Sequence, residues 1–329
     1  MDSLHQQDYQ NWYVNIGGIT GGGLQSFGTD SLRGCRYFWR GEFLVCRDNQ
    51  NYVSLKLSSK NTVGAESINN ENRKGAWLGM GVLSLYRHGN DFENIYPLWD
   101  WNLLPGTTSH RDCVQIEKRI TNESEFAGGV VDGKIAVAAL IAKRKKLEAY
   151  KSWYFLGNVI ICLGSNIKGN ADTEIETSVD QRMSRGSVYA DGFLNGEIKS
   201  ARKVWHDSIG YFSLDGKVFS LKNEKRKGNW SEIGTEKRGV QGKILSLWKR
   251  HGKNPKSSHY RYLMEMGIGI NEFEKKNYEN IMILQNDSLA QVVYDEKKQI
   301  WAGVAYSRVR MNFSDFHFFT SHPCVFSVC

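Results

Sequence analysis

Carboxylates and carboxamides are concentrated in one short segment, residues 66–72, which contains two glutamates and three asparagines. We call it the acid-amide segment. Such crowding suits a surface, because an unpaired polar group in a core costs about 1–3 kcal/mol. Residues 99–101 add two indoles, and residues 104–108 form a stiff turn with Pro and Gly. Acids, amides and flat aromatic faces together are suited to holding a sugar, so the sequence predicts a saccharide-binding surface here.

The composition indicates a globular β protein. Of 329 residues, 40% are hydrophobic and 12% aromatic, with 33 Gly and only 4 Pro. Aromatic side chains fit pleated sheets, and Gly serves turns and bulges. The net charge of +8 favours encounter with a polyanion, but nucleic acid and acidic glycan share that property.

Short strands with frequent turns must position the polar surface. Residues 52–58 alternate polar and apolar side chains, as in a half-buried strand. Other segments with strand character are residues 159–163, 217–221, 260–266 and 289–294. Turn signals occur at residues 131–134, 214–217 and 251–255. This pattern predicts a sandwich, although the Ala-, Leu- and Lys-rich stretch 138–151 also has helical propensity.

The cysteine pattern does not favour a zinc site. The six cysteines are scattered without a C-x-x-C pair: Cys35, Cys46, Cys113, Cys162, Cys324 and Cys329. Their even number permits disulfides without requiring them. The longest apolar run, residues 135–142, is too short to span a bilayer, and the first residues lack signal-peptide features.

An ordered set of motifs carries a family resemblance. The first comprises Glu66, Ser67, Asn69, Glu71, Asn72, Lys74, Gly75, Trp77, Gly79, Gly81, Pro97, Trp99, Asp100, Trp101 and residues 105–108. Four others lie at residues 151–165, 228–233, 251–262 and 291–293. Together they resemble polysaccharide lyase family 8, which includes hyaluronate, chondroitin and xanthan lyases. The resemblance runs from about residue 39 to residue 306. The sequence departs from the family pattern at Met80 and Cys46.

The resemblance implies an all-β fold. A large antiparallel super-β-sandwich of the galactose-mutarotase-like type would occupy residues 1–274. The start of a smaller C-terminal β-sandwich would follow at residues 280–329, with the boundary in the polar stretch 267–280. The stretch 138–151 would then form two strands around residues 143–146 rather than a helix.

The resemblance also implies β-elimination at a uronic acid, the chemistry of a carbon-oxygen lyase. The family's tyrosine base and its histidine lie mainly on an N-terminal helical toroid, which these residues do not match. We therefore expect this chain to supply the sandwich side of the cleft. Glu66 and Asn69 match the family's site residues, and we predict a catalytic role for them. Four further residues are candidates for substrate contact: Asn70, Asn72, Trp77 and Trp101.

Structural alternatives stay open for the same residues. Glu66 and Asn69 could instead stabilise a loop, and Trp101 could belong to the core. No partner is visible in the sequence for His88, His206 or His251. The leading functional hypothesis is a lyase acting on acidic polysaccharide. The alternatives are a non-catalytic carbohydrate-binding remnant and, by fold analogy alone, a sugar-ring epimerase.

The expected partners follow from the resemblance. We expect an acidic polysaccharide, a separate helical toroid domain and an extracellular location, but no nucleic acid and no membrane. The chain is expected to be a monomer. We expect no cofactor, and a structural divalent cation is left open.

Overall fold

The computed structural model describes residues 33–111, 118–133, 135–170, 172–195, 198–313 and 316–328. Over these residues the regular secondary structure is almost entirely β. The strands are β1 Gly34–Phe38, β2 Phe43–Arg47, β3 Tyr52–Lys56, β4 Val63–Glu66, β5 Val82–Tyr86, β6 Thr108–His110, β7 Arg119–Thr121, β8 Ala127–Asp132, β9 Ile135–Arg144, β10 Leu147–Leu156, β11 Val159–Gly169, β12 Ile175–Met183, β13 Val188–Ala190, β14 Phe193–Leu194, β15 Ser200–Ala201, β16 Lys203–His206, β17 Ile209–Ser213, β18 Phe219–Asn229, β19 Gly239–Gly252, β20 Ser258–Met266, β21 Ile281–Asn286, β22 Ala290–Asp295, β23 Ile300–Ala305, β24 Val309–Phe313, β25 Phe316–Thr320 and β26 Cys324–Val328. The helical elements are α1 Ile270–Lys275 and two short 3-10 turns, Tyr96–Leu98 and Trp230–Glu232.

A nine-stranded sheet forms the central layer, in the order β14-β13-β16-β17-β20-β11-β10-β9-β8. Its alternate residues enter two different cores. Ile160 of β11 packs in the larger core with the sheets β1-β2-β3-β5 and β15-β18-β19-β12-β6. Its neighbour Ile161 packs on the opposite face with the C-terminal sheet β21-β22-β23-β26. The all-β super-sandwich prediction is therefore confirmed.

The stretch that could have been a helix forms a hairpin. Strands β9 and β10 pair antiparallel, with Leu147 opposite Arg144 and Leu156 opposite Ile135. Lys145 makes the tight turn with a φ of 53°. Both faces of these strands are covered by protein, so apolar residues are continuous rather than alternating. The prediction of two strands around residues 143–146 is confirmed.

One disulfide joins the first two strands. Cys35 of β1 lies directly opposite Cys46 of β2, and their sulfurs are bonded. Cys162 is a buried free thiol and Cys324 is a half-buried one. Cys113 and Cys329 lie outside the described residues. The disulfide accounts for the departure from the family pattern at Cys46, and the other departure, Met80, is buried in the larger core.

The larger core encloses a lysine. Lys151 is completely buried, and its ammonium nitrogen lies 5.2 Å from the centroid of the Trp153 ring. The same nitrogen donates a hydrogen bond to the backbone oxygen of Gly106. Burial lowers the pKa of Lys151 from 10.5 to about 7, because the charged form has lost its hydration. The fold therefore carries a cation that destabilises it at acidic pH.

No helix among the described residues has the length and apolar character needed to cross a bilayer.

Candidate functional site

The acid-amide segment leaves the sandwich at the end of β4. Glu66, the last residue of that strand, pairs with Arg119 of β7. Asn69, Asn70 and Asn72 then adopt left-handed backbone conformations, with φ of 54°, 64° and 51°. Asparagine enters this region more readily than most residues. The asparagines therefore have a conformational role in addition to any role in binding.

Internal hydrogen bonds close this loop. The Ser67 hydroxyl donates to the Glu71 backbone oxygen at 2.7 Å. The Asn72 side-chain amide donates to the Glu66 backbone oxygen at 2.8 Å. Asn72 therefore uses part of its hydrogen-bonding capacity to hold the loop. The same structural role was left open above for Glu66 and Asn69.

The other four acidic and amide residues of the segment, Glu66, Asn69, Asn70 and Glu71, are exposed. The side chain of Glu66 is 45% exposed, and one of its oxygens lies 3.3 Å from Nε of Arg119. Asn69 and Asn70 are exposed, and their side chains make no hydrogen bond to the described part of the chain. The structure therefore brings together two carboxylates and two free carboxamides on one surface loop.

The two candidate tryptophans lie elsewhere. Trp77 is completely buried, with its ring centroid 5.2 Å from the Arg144 guanidinium and 5.2 Å from the His110 ring. Trp101 is 7% exposed, and its Nε1 donates to the Tyr96 backbone oxygen at 3.1 Å. The structure corrects the expected sugar contact of these rings, because protein atoms already cover their faces. The core alternative describes Trp101 better.

The residues after the acid-amide segment anchor it to the β18–β19 hairpin. The Arg73 backbone N–H donates to the Ile233 oxygen at 3.2 Å, and its guanidinium donates to the Ser231 oxygen at 3.0 Å. The Lys74 ammonium lies 2.6 Å from the Glu232 carboxylate. The loop is therefore braced by residues that are distant in sequence, which favours one fixed geometry.

A polar cleft of about 400 Å³ adjoins this anchor. It lies between the Tyr96–Leu98 turn and the β18–β19 sheet. Its lining residues are Pro97, Leu98, Trp99, Asp100, Leu103, Arg111, Lys222, Glu224, Arg226, Lys227, Glu232, Ser246 and Trp248. Sequence analysis missed the cleft because its walls come from residues more than a hundred positions apart.

Two histidines, the buried His206 and the half-buried His251, have lowered pKa values. His251 lies between the hydroxyls of Thr177, at 2.8 Å, and Ser258, at 2.9 Å. Burial lowers the pKa of His251 to about 3 and that of His206 to about 4. The Nε2 atom of His206 accepts a hydrogen bond from the Arg185 backbone N–H at 3.0 Å. Both imidazoles therefore hold hydrogen bonds within the sandwich.

His88, Asp91 and Asp207 bring three potential cation ligands within 4.8 Å of one another. A protein cation already serves this cluster. Arg182, whose side chain is only 4% exposed, lies 3.0 Å from Asp91 and 3.6 Å from Asp207. It also lies 3.3 Å from Asp180. The guanidinium offsets part of the negative charge of these carboxylates.

Comparison with known proteins relates the chain to one family. The family model described as polysaccharide lyase family 8, super-sandwich domain, matches residues 33–277. Chondroitinase-AC of Pedobacter heparinus is 30% identical over 303 residues, covering 87% of this chain and 43% of that protein. Hyaluronate lyase HylB of Enterococcus faecalis is 30% identical over 317 residues, covering 85% of this chain and 31% of that protein.

Solved structures agree with the fold. A chondroitinase AC lyase studied as oligosaccharide complexes superposes with a TM-score of 0.84 at 29% identity, over 90% of this chain and 47% of the other. A Paenibacillus xanthan lyase gives a TM-score of 0.79 at 23% identity, over 94% and 32% respectively, which supports the fold alone. The chain spans less than half the length of these relatives. From the match to its super-sandwich model, the chain belongs to polysaccharide lyase family 8.

Proposed function

We propose that this chain forms the sandwich-side wall of a lyase cleft that cleaves acidic polysaccharide beside a uronic acid. The observation that carries the proposal is the solvent-facing group of Glu66, Asn69 and Asn70 on a braced loop. Relatives named for chondroitin, hyaluronate and xanthan supply the substrate class. The toroid that completes the cleft is part of the proposal.

The reaction is a β-elimination. A base removes the C5 proton of the uronic acid, the bond from C4 to the glycosidic oxygen breaks, and a C4–C5 double bond forms. The departing oxygen takes a proton from an acid. The difficult step is proton removal next to a carboxylate, because negative charge accumulates there.

The side chain of Asn69 is suited to stabilising that negative charge. A carboxamide N–H directed at the substrate carboxylate stabilises the developing negative charge more strongly in the transition state than in the ground state. The Glu66 carboxylate is suited to orient a cationic or imidazole side chain of the toroid, as it now holds Arg119. A tyrosine of the toroid would act as base and then as acid, assisted by a histidine.

Secretion is part of the proposal. The Cys35–Cys46 disulfide is a bond that persists in oxidising compartments and is rare in the cytosol. An enzyme for polysaccharides would also meet its substrate outside the cell.

The test combines this chain with a separately expressed toroid and follows the absorbance of the unsaturated uronate product. Asn69→Ala should lower kcat by about 10²–10³-fold, the cost of losing one donor to a developing oxyanion. Glu66→Ala should also lower the rate. The matched control is Glu236→Ala, which removes another exposed glutamate, paired with Arg238 at 2.6 Å. An unchanged rate for both site variants would refute the assignment.

Glycan binding without turnover is a second candidate. It is favoured by the lack, within the described residues, of any hydrogen bond from the acid-amide segment to a tyrosine or histidine. Saturable binding of chondroitin sulfate or hyaluronan, without product in the presence of the toroid, would support this function over the lyase.

A further inference from the structure

We propose that the β1–β2 turn, residues 38–42, is an accessory glycan-binding site, in which a sugar ring stacks on Trp39 and Arg40 contacts an acidic group of the same glycan. This inference rests on the proposed function, because the ligand is an acidic polysaccharide. It adds a contact away from the reacting bond, on residues to which the reaction assigns no role.

Trp39 differs from the other tryptophans in its exposure. It is 70% exposed, whereas the eight other tryptophans of the described residues are buried or half-buried. Its neighbour Phe38 is 50% exposed. Single exposed apolar residues are normal, but two consecutive exposed aromatic residues offer flat apolar surface to a ligand. The turn therefore has the kind of surface on which a sugar ring can stack.

The turn also carries positive charge that the described residues leave unpaired. The Arg40 guanidinium lies 5.1 Å from the centroid of the Trp39 ring, and within the described ranges it makes no ion pair and no hydrogen bond. The same holds for the side chain of Arg36, which shares a face of β1 with Phe38. A guanidinium can donate two parallel hydrogen bonds to one anionic group. An aromatic ring beside such a cation matches an acidic sugar.

A buried carboxylate holds the turn in place. Glu42 is 7% exposed and has a left-handed φ of 46°. Its carboxylate accepts hydrogen bonds from the Ser59 backbone N–H at 2.5 Å, from the Ser59 hydroxyl at 2.6 Å and from the Thr62 hydroxyl. The Lys56 ammonium donates to the Gly41 backbone oxygen at 2.6 Å. The exposed rings are thus carried by a braced backbone, which lowers the entropic cost of binding.

The brace connects the turn to the acid-amide segment. Thr62, one of the donors to Glu42, immediately precedes β4, and Glu66 is the last residue of β4. At about 3.3 Å per residue, the strand from Thr62 to Glu66 is about 13 Å long. A glycan of several sugars that lies on the acid-amide segment can therefore extend toward the turn.

The experiment measures the affinity of the full chain for chondroitin sulfate and hyaluronan oligosaccharides by calorimetry at fixed low salt. Trp39→Ala should weaken binding about tenfold by removing a stacking contact, and Trp39→Phe should retain most of the affinity because an aromatic face remains. Arg40→Ala should weaken binding and make it less sensitive to salt, because a charge contact is lost. The matched control is Phe193→Ala, which removes a 65% exposed aromatic side chain from β14 and should leave the affinity unchanged.

The two glycans identify the acidic group. Hyaluronan oligosaccharides carry carboxylates only, whereas chondroitin sulfate oligosaccharides carry carboxylates and sulfate esters. Weaker binding of both glycans to Arg40→Ala assigns a carboxylate to the guanidinium, and weaker binding of chondroitin sulfate alone assigns a sulfate ester.

Three results would overturn the accessory site. They are equal affinities of Trp39→Ala and Phe193→Ala, an unmodified chain that binds neither glycan, and a Trp39→Ala protein that loses affinity for the separately expressed toroid but not for glycan. The last result would make the turn a contact between domains. The proposed function is tested separately, because it depends on the turnover rates of Asn69→Ala and Glu66→Ala with the toroid.

Discussion

Replacing Lys151 by methionine should stabilise the protein at acidic pH and destabilise it at alkaline pH. The side chain is completely buried, and its pKa falls from 10.5 to about 7 on folding. Since one pKa unit corresponds to about 1.4 kcal/mol, the charged lysine costs the folded state about 5 kcal/mol. Methionine removes that cost with a similar unbranched shape.

The gain is partly offset. Without Lys151, the backbone oxygen of Gly106 loses its hydrogen-bond donor, at a cost of about 1–3 kcal/mol. The net stabilisation at pH 6 is therefore about 2–4 kcal/mol.

The pH dependence has a definite sign. Between the folded and unfolded pKa values, from about 7 to 10.5, the unfolded chain binds more protons, so wild-type stability rises with pH. The free-energy cost of the charged Lys151 is complete below pH 7 and disappears above pH 10.5. The advantage of the variant should thus shrink to nothing near pH 9 and become negative near pH 10.

Urea unfolding of both proteins at pH 6 and pH 10 measures this difference. The matched control is Lys297→Met, an exposed lysine whose replacement should show no such crossover. A Lys151→Met protein that is less stable at pH 6, or whose stability relative to wild type does not change with pH, would refute the reasoning.

Three other perturbations give expected outcomes. Replacing Cys35 and Cys46 by alanine should lower the free energy of unfolding by about 2–3 kcal/mol, because the bond closes a loop of 11 residues; denaturant titrations of both proteins without reductant test this. Gly164→Ala should lower the free energy of unfolding by about 1–3 kcal/mol, because the added Cβ would lie 2.0 Å from a tyrosine ring. The control is Gly128→Ala in the same sheet, whose Cβ would meet nothing within 4 Å. Equal melting temperatures of the two variants would contradict this expectation. Arg182→Met should cost about 3–5 kcal/mol by leaving buried carboxylates without their cation, as measured by chemical unfolding at neutral pH.

The strands could be predicted from the sequence where one face of a sheet is apolar and the other is polar. Residues 52–58 alternate, and the structure forms β3 there. The stretch 138–151 gave no such signal because the residues of β9 enter two cores in turn and are apolar on both sides. Its composition also suits a helix. Only the family resemblance indicated the hairpin, and the division into residues 1–274 and 280–329 stays a prediction.

The site was predictable only in part. Crowded acids and amides placed Glu66 and Asn69 at the surface because such groups are costly to bury. An indole is equally suited to a core or a sugar platform, so sequence could not show that Trp77 is fully enclosed.

The brace between Lys74 and Glu232 joins positions 158 residues apart. Contacts at such separation form slowly, because a large loop must close first. During synthesis the acid-amide segment leaves the ribosome well before its supporting hairpin exists. The proposed recognition by this loop should therefore be among the last properties that the nascent polypeptide acquires. A single protease cut near the hairpin tip should remove it while most of the β layers survive.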